Sequence, residues 1–349
     1  ARRQRQMCIR DSLQTPFYDV IFDERGYISS LIDRENGRQL KGEGYALNTF
    51  LVAEDVPDSW DNWDLDADIA DKWRDCAKLL SRSVVSCGAV ELRIRSEYQL
   101  TKKSSLQQDM VFYSKDRKIG FETVMNWQDD HRFLKAAFDT SVQSRFARNE
   151  VQFGYIERAT YRNTSWEKAK FEVSNHKYTD LSEPGYGVAV LNDCKYGVSV
   201  ENGRIWLSLH KGGCRPDYRG DKGIHECTYA LLPHNSGFGA EAVVQPAYEL
   251  NIAPIVMPGK KELESFVTVD APNVIVEAVK PMEDGNGYAL RLYEAEGTSV
   301  RTKLHLTETG EKVMLTNLLE EEIETLPDEK EIALGFKPFE IKTICVLMK

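Results

Sequence analysis

Apolar and polar residues alternate with a period of two along most of the chain after Leu13. The run FYDVIF (Phe17 to Phe22) leads through Asp23–Gly26 into YISSLI (Tyr27 to Ile32). Gly26 can adopt positive φ in the turn, so the segment predicts a β-hairpin. Residues 90–100 put Val90, Leu92, Ile94, Tyr98 and Leu100 on one face. Glu91, Arg93, Arg95, Glu97 and Gln99 fall on the other. One dry and one wet face is the pattern of an antiparallel sheet. Further strands are expected at 106–113, 118–127, 133–138, 142–146, 151–157, 168–173, 186–192, 197–200, 204–209, 225–232 and 240–252. Gly, Asn and Asp between these runs supply the turns. The fold class is therefore all-β, a large antiparallel β-sandwich. One helical pattern is visible, IADKWRDCAKLL (Ile69 to Leu80).

Met257 to Glu262 (MPGKKE) has linker composition and predicts a domain boundary. Six strand-like runs follow it, enough for a small C-terminal β-sandwich at 263–349 after the large one at 13–262. The leader, residues 1–12, is basic and lacks an apolar stretch, so it is no secretory signal. Its MCIRDS segment (Met7 to Ser12) reads as translated library adapter, a native basic arm being the alternative. A chain that starts mid-gene can lack its own catalytic domain.

Composition narrows the classes. With 45 Lys and Arg against 55 Asp and Glu, the formal charge is −10, which disfavours nucleic acid as a partner. No run of 18 apolar residues is present, so no membrane-spanning helix is expected. The 7 cysteines are dispersed and form no CxxC pair, a pattern of reduced, buried thiols in the cytoplasm.

Three windows carry candidate chemistry. Glu54 to Asp75 holds nine acids and three tryptophans, and its WDNWD core (Trp60 to Asp64) suits a sugar. Indole rings stack on the apolar faces of saccharides and carboxylates accept their hydroxyl hydrogens. The competing readings are tryptophans that plug the sandwich end beside solvated acids, or a Ca²⁺ loop, although the spacing fits no EF-hand. In the second window, Phe153 to Glu172, Arg158 at a strand end can fork onto sugar hydroxyls, or simply pair with Glu157 or Glu167. The third window, Cys214 to His234, holds His225, Cys227 and His234. Two histidines and a thiol fall short of a zinc set, and histidines that anchor loops are the plainer reading. Glu157, Asp217 and Asp221 are candidate glycosidase carboxylates, but spacing alone selects no pair. GxSxG, GxxxxGK[ST], HExxH and a strand–helix GxGxxG are all missing.

EDVPDSWDNWDLD, FGYIERATYRNTSWEKAKFE, GYGVAVLNDCKYG and HECTYALLPH, in this order, resemble the C-terminal half of glycoside hydrolase family 38 α-mannosidases. NVIVEAVKPMEDGNGYALRLYEAEG and FKPFEIKTI resemble that family's last small β-sandwich. The resemblance runs from Phe17 to Lys349 and leans to the bacterial and cytosolic branch. It implies a fragment of a zinc-dependent retaining α-mannosidase acting on α-mannoside oligosaccharides. The zinc ligands and the aspartate nucleophile would belong to a missing N-terminal catalytic domain. No catalytic residue and no metal is then expected in this chain. Trp60, Asp61, Trp63, Asp64 and Arg158 would line the substrate pocket. Lys211, where the family usually has arginine, and Cys227, where phenylalanine is common, depart from the pattern. The large sandwich should expose an apolar docking patch, and a homo-oligomer is a further possible partner state. A stand-alone carbohydrate-binding module is the alternative function; the DNA upstream of Leu13 would discriminate the two.

Overall fold

The computed structural model describes residues 11–259, 264–308 and 310–348. The leader up to residue 10, and Lys260–Glu262 of the expected linker, lie outside the described residues. Two compact units are present. One comprises the chain up to Glu150 and Glu157–Phe238; the other comprises Val151–Ile156 and Gly239 onward.

Among the described residues, the strands between Ser12 and His234 form a nine-stranded, a five-stranded and a four-stranded antiparallel sheet. The nine-stranded sheet runs in the order Gly154–Ala159, Phe146–Val151, Tyr178–Glu183, Tyr186–Asn192, Gly223–His234, Ile119–Trp127, Ser105–Tyr113, Glu91–Gln99, Lys78–Cys87. The five-stranded sheet runs Val173–Ser174, Gly197–Glu201, Arg204–Lys211, Arg132–Asp139, Thr49–Glu54. Alternation decides which side chains enter the core. Ile94 and Tyr98 point inward, as do Phe50, Val52, Leu134, Ala136 and Phe138 from the smaller sheet. The expected hairpin is present as Tyr18–Phe22 and Ile28–Asp33, with Gly26 at φ +80°. It caps the same core with Tyr18, Val20 and Leu31. Ser12 pairs with Ile21, so the last residue of the presumed leader belongs to this sheet.

A ring of three polar side chains, with Thr123 attached to it, sits inside the apolar layer. Asn48 Nδ2 donates to Gln108 Oε1 (2.6 Å), and Gln108 Nε2 donates to Thr123 Oγ1 and Tyr229 Oη (both 2.8 Å). Tyr229 Oη closes the ring on Asn48 Oδ1 at 2.7 Å. Because nearly every buried atom in it is paired, the ring fixes sheet register at little cost.

In the second unit, Val267–Val269, Val300–Leu306 and Glu331–Phe336 form one sheet. The other runs Val274–Pro281, Gly287–Glu294, Ile341–Leu347, Lys312–Thr316, Glu322–Leu326. Leu290, Leu292, Leu304, Ile332 and Ile344 fill the space between them. Strands dominate both units, as the periodicity predicts.

Several expected elements differ. Residues 240–252 form a π-type turn, Ala240–Val244, and an α-helix, Gln245–Asn251, in place of a strand. Ala240, Val243, Val244 and Ala247 are its buried side chains, a helical spacing that the local alternation obscures. The expected helix at 69–80 is a 3₁₀ turn, Ala67–Asp71, followed by the edge strand from Lys78. Its apolar residues instead insert Ile69 and Trp73 into a small outer core with Phe133. The strand expected at 168–173 shrinks to Val173–Ser174; Lys168 ends a single helical turn, Ser165–Lys168, whose capping box joins Thr164 and Glu167. Val90 is exposed rather than core-facing.

Candidate functional site

Three loops meet at one end of the large sandwich. They follow the strands Thr49–Glu54, Ile119–Trp127 and Arg204–Lys211. Asp61, from the first loop, is 5% exposed. Its Oδ2 accepts from Cys214 N (2.9 Å) and its Oδ1 from Arg215 N (2.6 Å). The next residue, Asn62, donates its own N–H to Arg215 O (3.0 Å) and accepts from Asp217 N (3.2 Å). Gly213 is the enabling residue on the other side: a Cβ there would lie 2.7 Å from Asp61 O. The aromatic loop is therefore pinned from below by its own acid.

That pinning pushes the tryptophans outward. Trp60 takes φ +54°, and the rings of Trp60 and Trp63 stand 5.9 Å apart at 34°. They are 55% and 72% exposed, so they do not plug the sandwich end. Asp64 is exposed beside them, its N–H held by Trp60 O (3.0 Å). The third tryptophan, Trp73, is the one that packs inward.

The rim of this platform is polar. His131 Nδ1 lies 3.0 Å from Asp61 Oδ2, and Cys214 Sγ donates to Asp130 Oδ1 at 3.2 Å. Lys222 Nζ holds the same Asp130 oxygen at 2.5 Å. The two bonds, Lys222 first, keep Asp130 below the usual carboxylate range. Burial and then the Asp130 and Asp61 carboxylates push the Cys214 thiol up. Asp55 is buried against Lys211; desolvation outweighs that ion pair and raises its carboxyl.

Arg158 lies elsewhere. Its Nη1 donates to Ser174 O (3.1 Å) on Val173–Ser174, one edge of the five-stranded sheet. The aromatic loop leaves Thr49–Glu54, the opposite edge. The structure thus joins the first and third sequence windows and leaves Arg158 apart from them. Glu157 pairs with Arg148 at 2.8 Å, and Asp217 caps Arg219 N at 3.0 Å. His225 bonds Asp221 O at 2.5 Å and His234 bonds Asp180 Oδ1 at 2.9 Å, so both anchor structure. The six described cysteines are free, but Cys227 and Cys345 alone are buried.

A second concavity of about 370 Å³ opens on the outer face of the five-stranded sheet, between Trp73, Phe171 and Trp206. Its floor is Lys135, 2% exposed, which bonds Glu172 and Ser199 Oγ (2.8 Å). Burial lowers the Lys135 ammonium from its ordinary value.

Set beside solved structures, the whole described chain aligns with an α-mannosidase from Enterococcus faecalis. The TM-score is 0.78 at 15% identity, over 97% of this chain and 42% of that one. A second Enterococcus faecalis protein, of glycosyl hydrolase family 38, aligns with a TM-score of 0.76 at 15% identity, over 97% of this chain and 44% of that one. This defines the class: an all-β assembly that shares its fold with the aligned part of those two proteins. Residues 13–219 match the glycosyl hydrolases family 38 C-terminal domain, and residues 273–344 match that family's C-terminal beta sandwich domain. The chain belongs to glycosyl hydrolases family 38. It is 35% identical to human Alpha-mannosidase 2C1 over 342 residues, which is 95% of this chain and 33% of that protein. Dictyostelium discoideum Alpha-mannosidase G is 31% identical over 347 residues, again 95% of this chain and 32% of the relative. The chain therefore spans about a third of the length of the curated relatives it matches.

Proposed function

We propose that this chain is the C-terminal portion of a zinc-dependent, retaining α-mannosidase, and that its aromatic loop borders the mannoside. The observation that carries the reading is the exposed Trp60–Trp63 pair, held rigid by the buried Asp61 in a family 38 chain. Stacking on indole is paid in full only when the ring is already ordered, and the anchoring bonds to Cys214 and Arg215 supply that order. In this reading Trp60 and Trp63 take the apolar face of a sugar and Asp64 accepts a hydroxyl hydrogen. Asp61 acts as a positioning residue beneath them, and Arg158 stands outside their group.

Retention needs two displacements at one carbon, with an acid/base and a nucleophilic carboxylate about 5–5.5 Å apart. In this reading the nucleophile and the zinc ligands belong to a catalytic portion outside this chain, which spans about a third of the length of its relatives, and the cytoplasm is the proposed compartment. Ile252, Ile255, Val256 and Met257 are exposed, an apolar run of the kind a covering domain buries.

The test is a titration of the purified chain with methyl α-mannoside, read by tryptophan fluorescence and by chemical shifts of the indole N–H groups. Weak saturable binding is expected, lost in Trp63→Ala and Trp60→Ala with unfolding midpoints unchanged. Binding that survives both substitutions rejects the role of the loop.

A further inference from the structure

The same three loops bring together donors that the sugar-facing role does not use. Asp61 Oδ2, His131 Nδ1 and Cys214 Sγ all lie within 4.8 Å of one another. A tetrahedral cation with bonds of about 2.0–2.1 Å to nitrogen and oxygen would set those two atoms about 3.3 Å apart. The observed Asp61 Oδ2 to His131 Nδ1 distance is 3.0 Å. With a bond of about 2.3 Å to sulfur, a thiolate and a carboxylate oxygen would be about 3.6 Å apart. Cys214 Sγ lies within 4.8 Å of Asp61 Oδ2, near enough for a small shift of the loop to close that distance.

Hydrogen bonding accounts for part of this cluster and leaves one atom over. His131 has a side chain 44% exposed, but its Nδ1 is shielded from solvent and faces Asp61 Oδ2 at 3.0 Å without hydrogen-bond geometry. Asp61 is already oriented by two backbone N–H groups, the outer support that ligating carboxylates usually have. The backbone is also strained here, with φ +54° at both Trp60 and His131.

We propose that Asp61, His131 and Cys214 form a binding site for a divalent transition cation, zinc foremost. The fourth position falls to water. Calcium does not fit, since it takes 6–8 oxygen ligands and the set includes sulfur and imidazole nitrogen. On binding, the Cys214 thiol yields its proton to solvent and the imidazole coordinates as the neutral ring. The ligands come from all three loops, so the cation ties the Trp60–Trp63 platform to its two neighbours. The site stands independently of any reaction the chain takes part in.

The experiment uses the full chain, stripped with chelator and titrated with Co²⁺, then Zn²⁺. One equivalent of Co²⁺ should bind and give a thiolate-to-cobalt charge-transfer band in the near ultraviolet, which Zn²⁺ displaces. Tryptophan emission should shift with the same stoichiometry. Cys214→Ser should abolish the band, and His131→Gln should weaken binding by tenfold or more. Cys87→Ser, an exposed thiol away from the cluster, should change neither. Urea unfolding of each stripped variant establishes that it is folded; His131→Gln decides the matter where Cys214→Ser is not. Failure to take up Co²⁺, or a band that persists in both site variants, overturns the proposal.

Discussion

Two buried carboxylates gather loop backbone in this molecule, and they do so to different completeness. In the small unit Glu294 is fully buried and accepts from the N–H groups of Glu296, Gly297, Thr298 and Phe339 and from the Asn273 amide. Burial raises its carboxyl, but these donors prevail and hold it below the usual range. In the large unit Asp61 has two backbone donors and, beside it, a buried imidazole nitrogen with its bond unmade. Glu294 is satisfied and has nothing left to offer a ligand. The surroundings of Asp61 are not, and the backbone there is strained as well. Saturation separates a structural anchor from a candidate site better than burial does.

The largest expected effect sharpens the saturated side. Glu294→Ala leaves several buried N–H groups unpaired, and urea unfolding should show a loss of about 3–5 kcal/mol. A loss under about 1 kcal/mol would break the comparison. Because the folded carboxyl is depressed, its contribution is present above the ordinary carboxylate range and is lost as pH falls through the depressed value.

The next effect probes the unsaturated side. His210 is buried with an unpartnered Nε2, and its ring centroid lies 4.3 Å from that of His225. Burial, then the neighbouring His225, holds it at about 3, against about 6.5 in the unfolded chain. Below pH 6.5 the unfolded state takes up a proton that the folded state refuses, so stability falls with pH. The loss should reach about 2 kcal/mol by pH 5. Denaturant midpoints from pH 7 to 5 measure it. His210→Phe should flatten that slope, and an unchanged slope would contradict the account.

Asp61→Asn should cost about 1–2 kcal/mol, since one acceptor oxygen remains for two N–H groups. Its sharper sign is a red shift of tryptophan emission as the loop loosens. Smallest of all, Trp63→Ala should move the unfolding midpoint by less than about 0.5 kcal/mol, because the ring is exposed. A larger loss would mean that the ring is structural.

The strands of the large sandwich were readable where one face is wet, as in Glu91–Gln99, because alternation records the two environments directly. Thr49–Glu54, buried on both faces, alternates nothing and went unseen, as did the mostly exposed Glu322–Leu326. The aromatic loop announced itself by composition. Its partners did not: Cys214 is 153 positions from Asp61, and only the sheet topology brings them together. Asp61 looked like a sugar acceptor, and its two backbone bonds, invisible in sequence, turn it inward.

The central claim is that the bond-cutting groups lie outside these residues, and activity tests it most directly. The purified chain should release no nitrophenol from an aryl α-mannoside, with or without added Zn²⁺, at protein concentrations where weak mannoside binding is measurable. Zinc-dependent turnover that disappears in Asp61→Asn or His131→Gln would contradict the account and make the three-loop cluster a reaction centre.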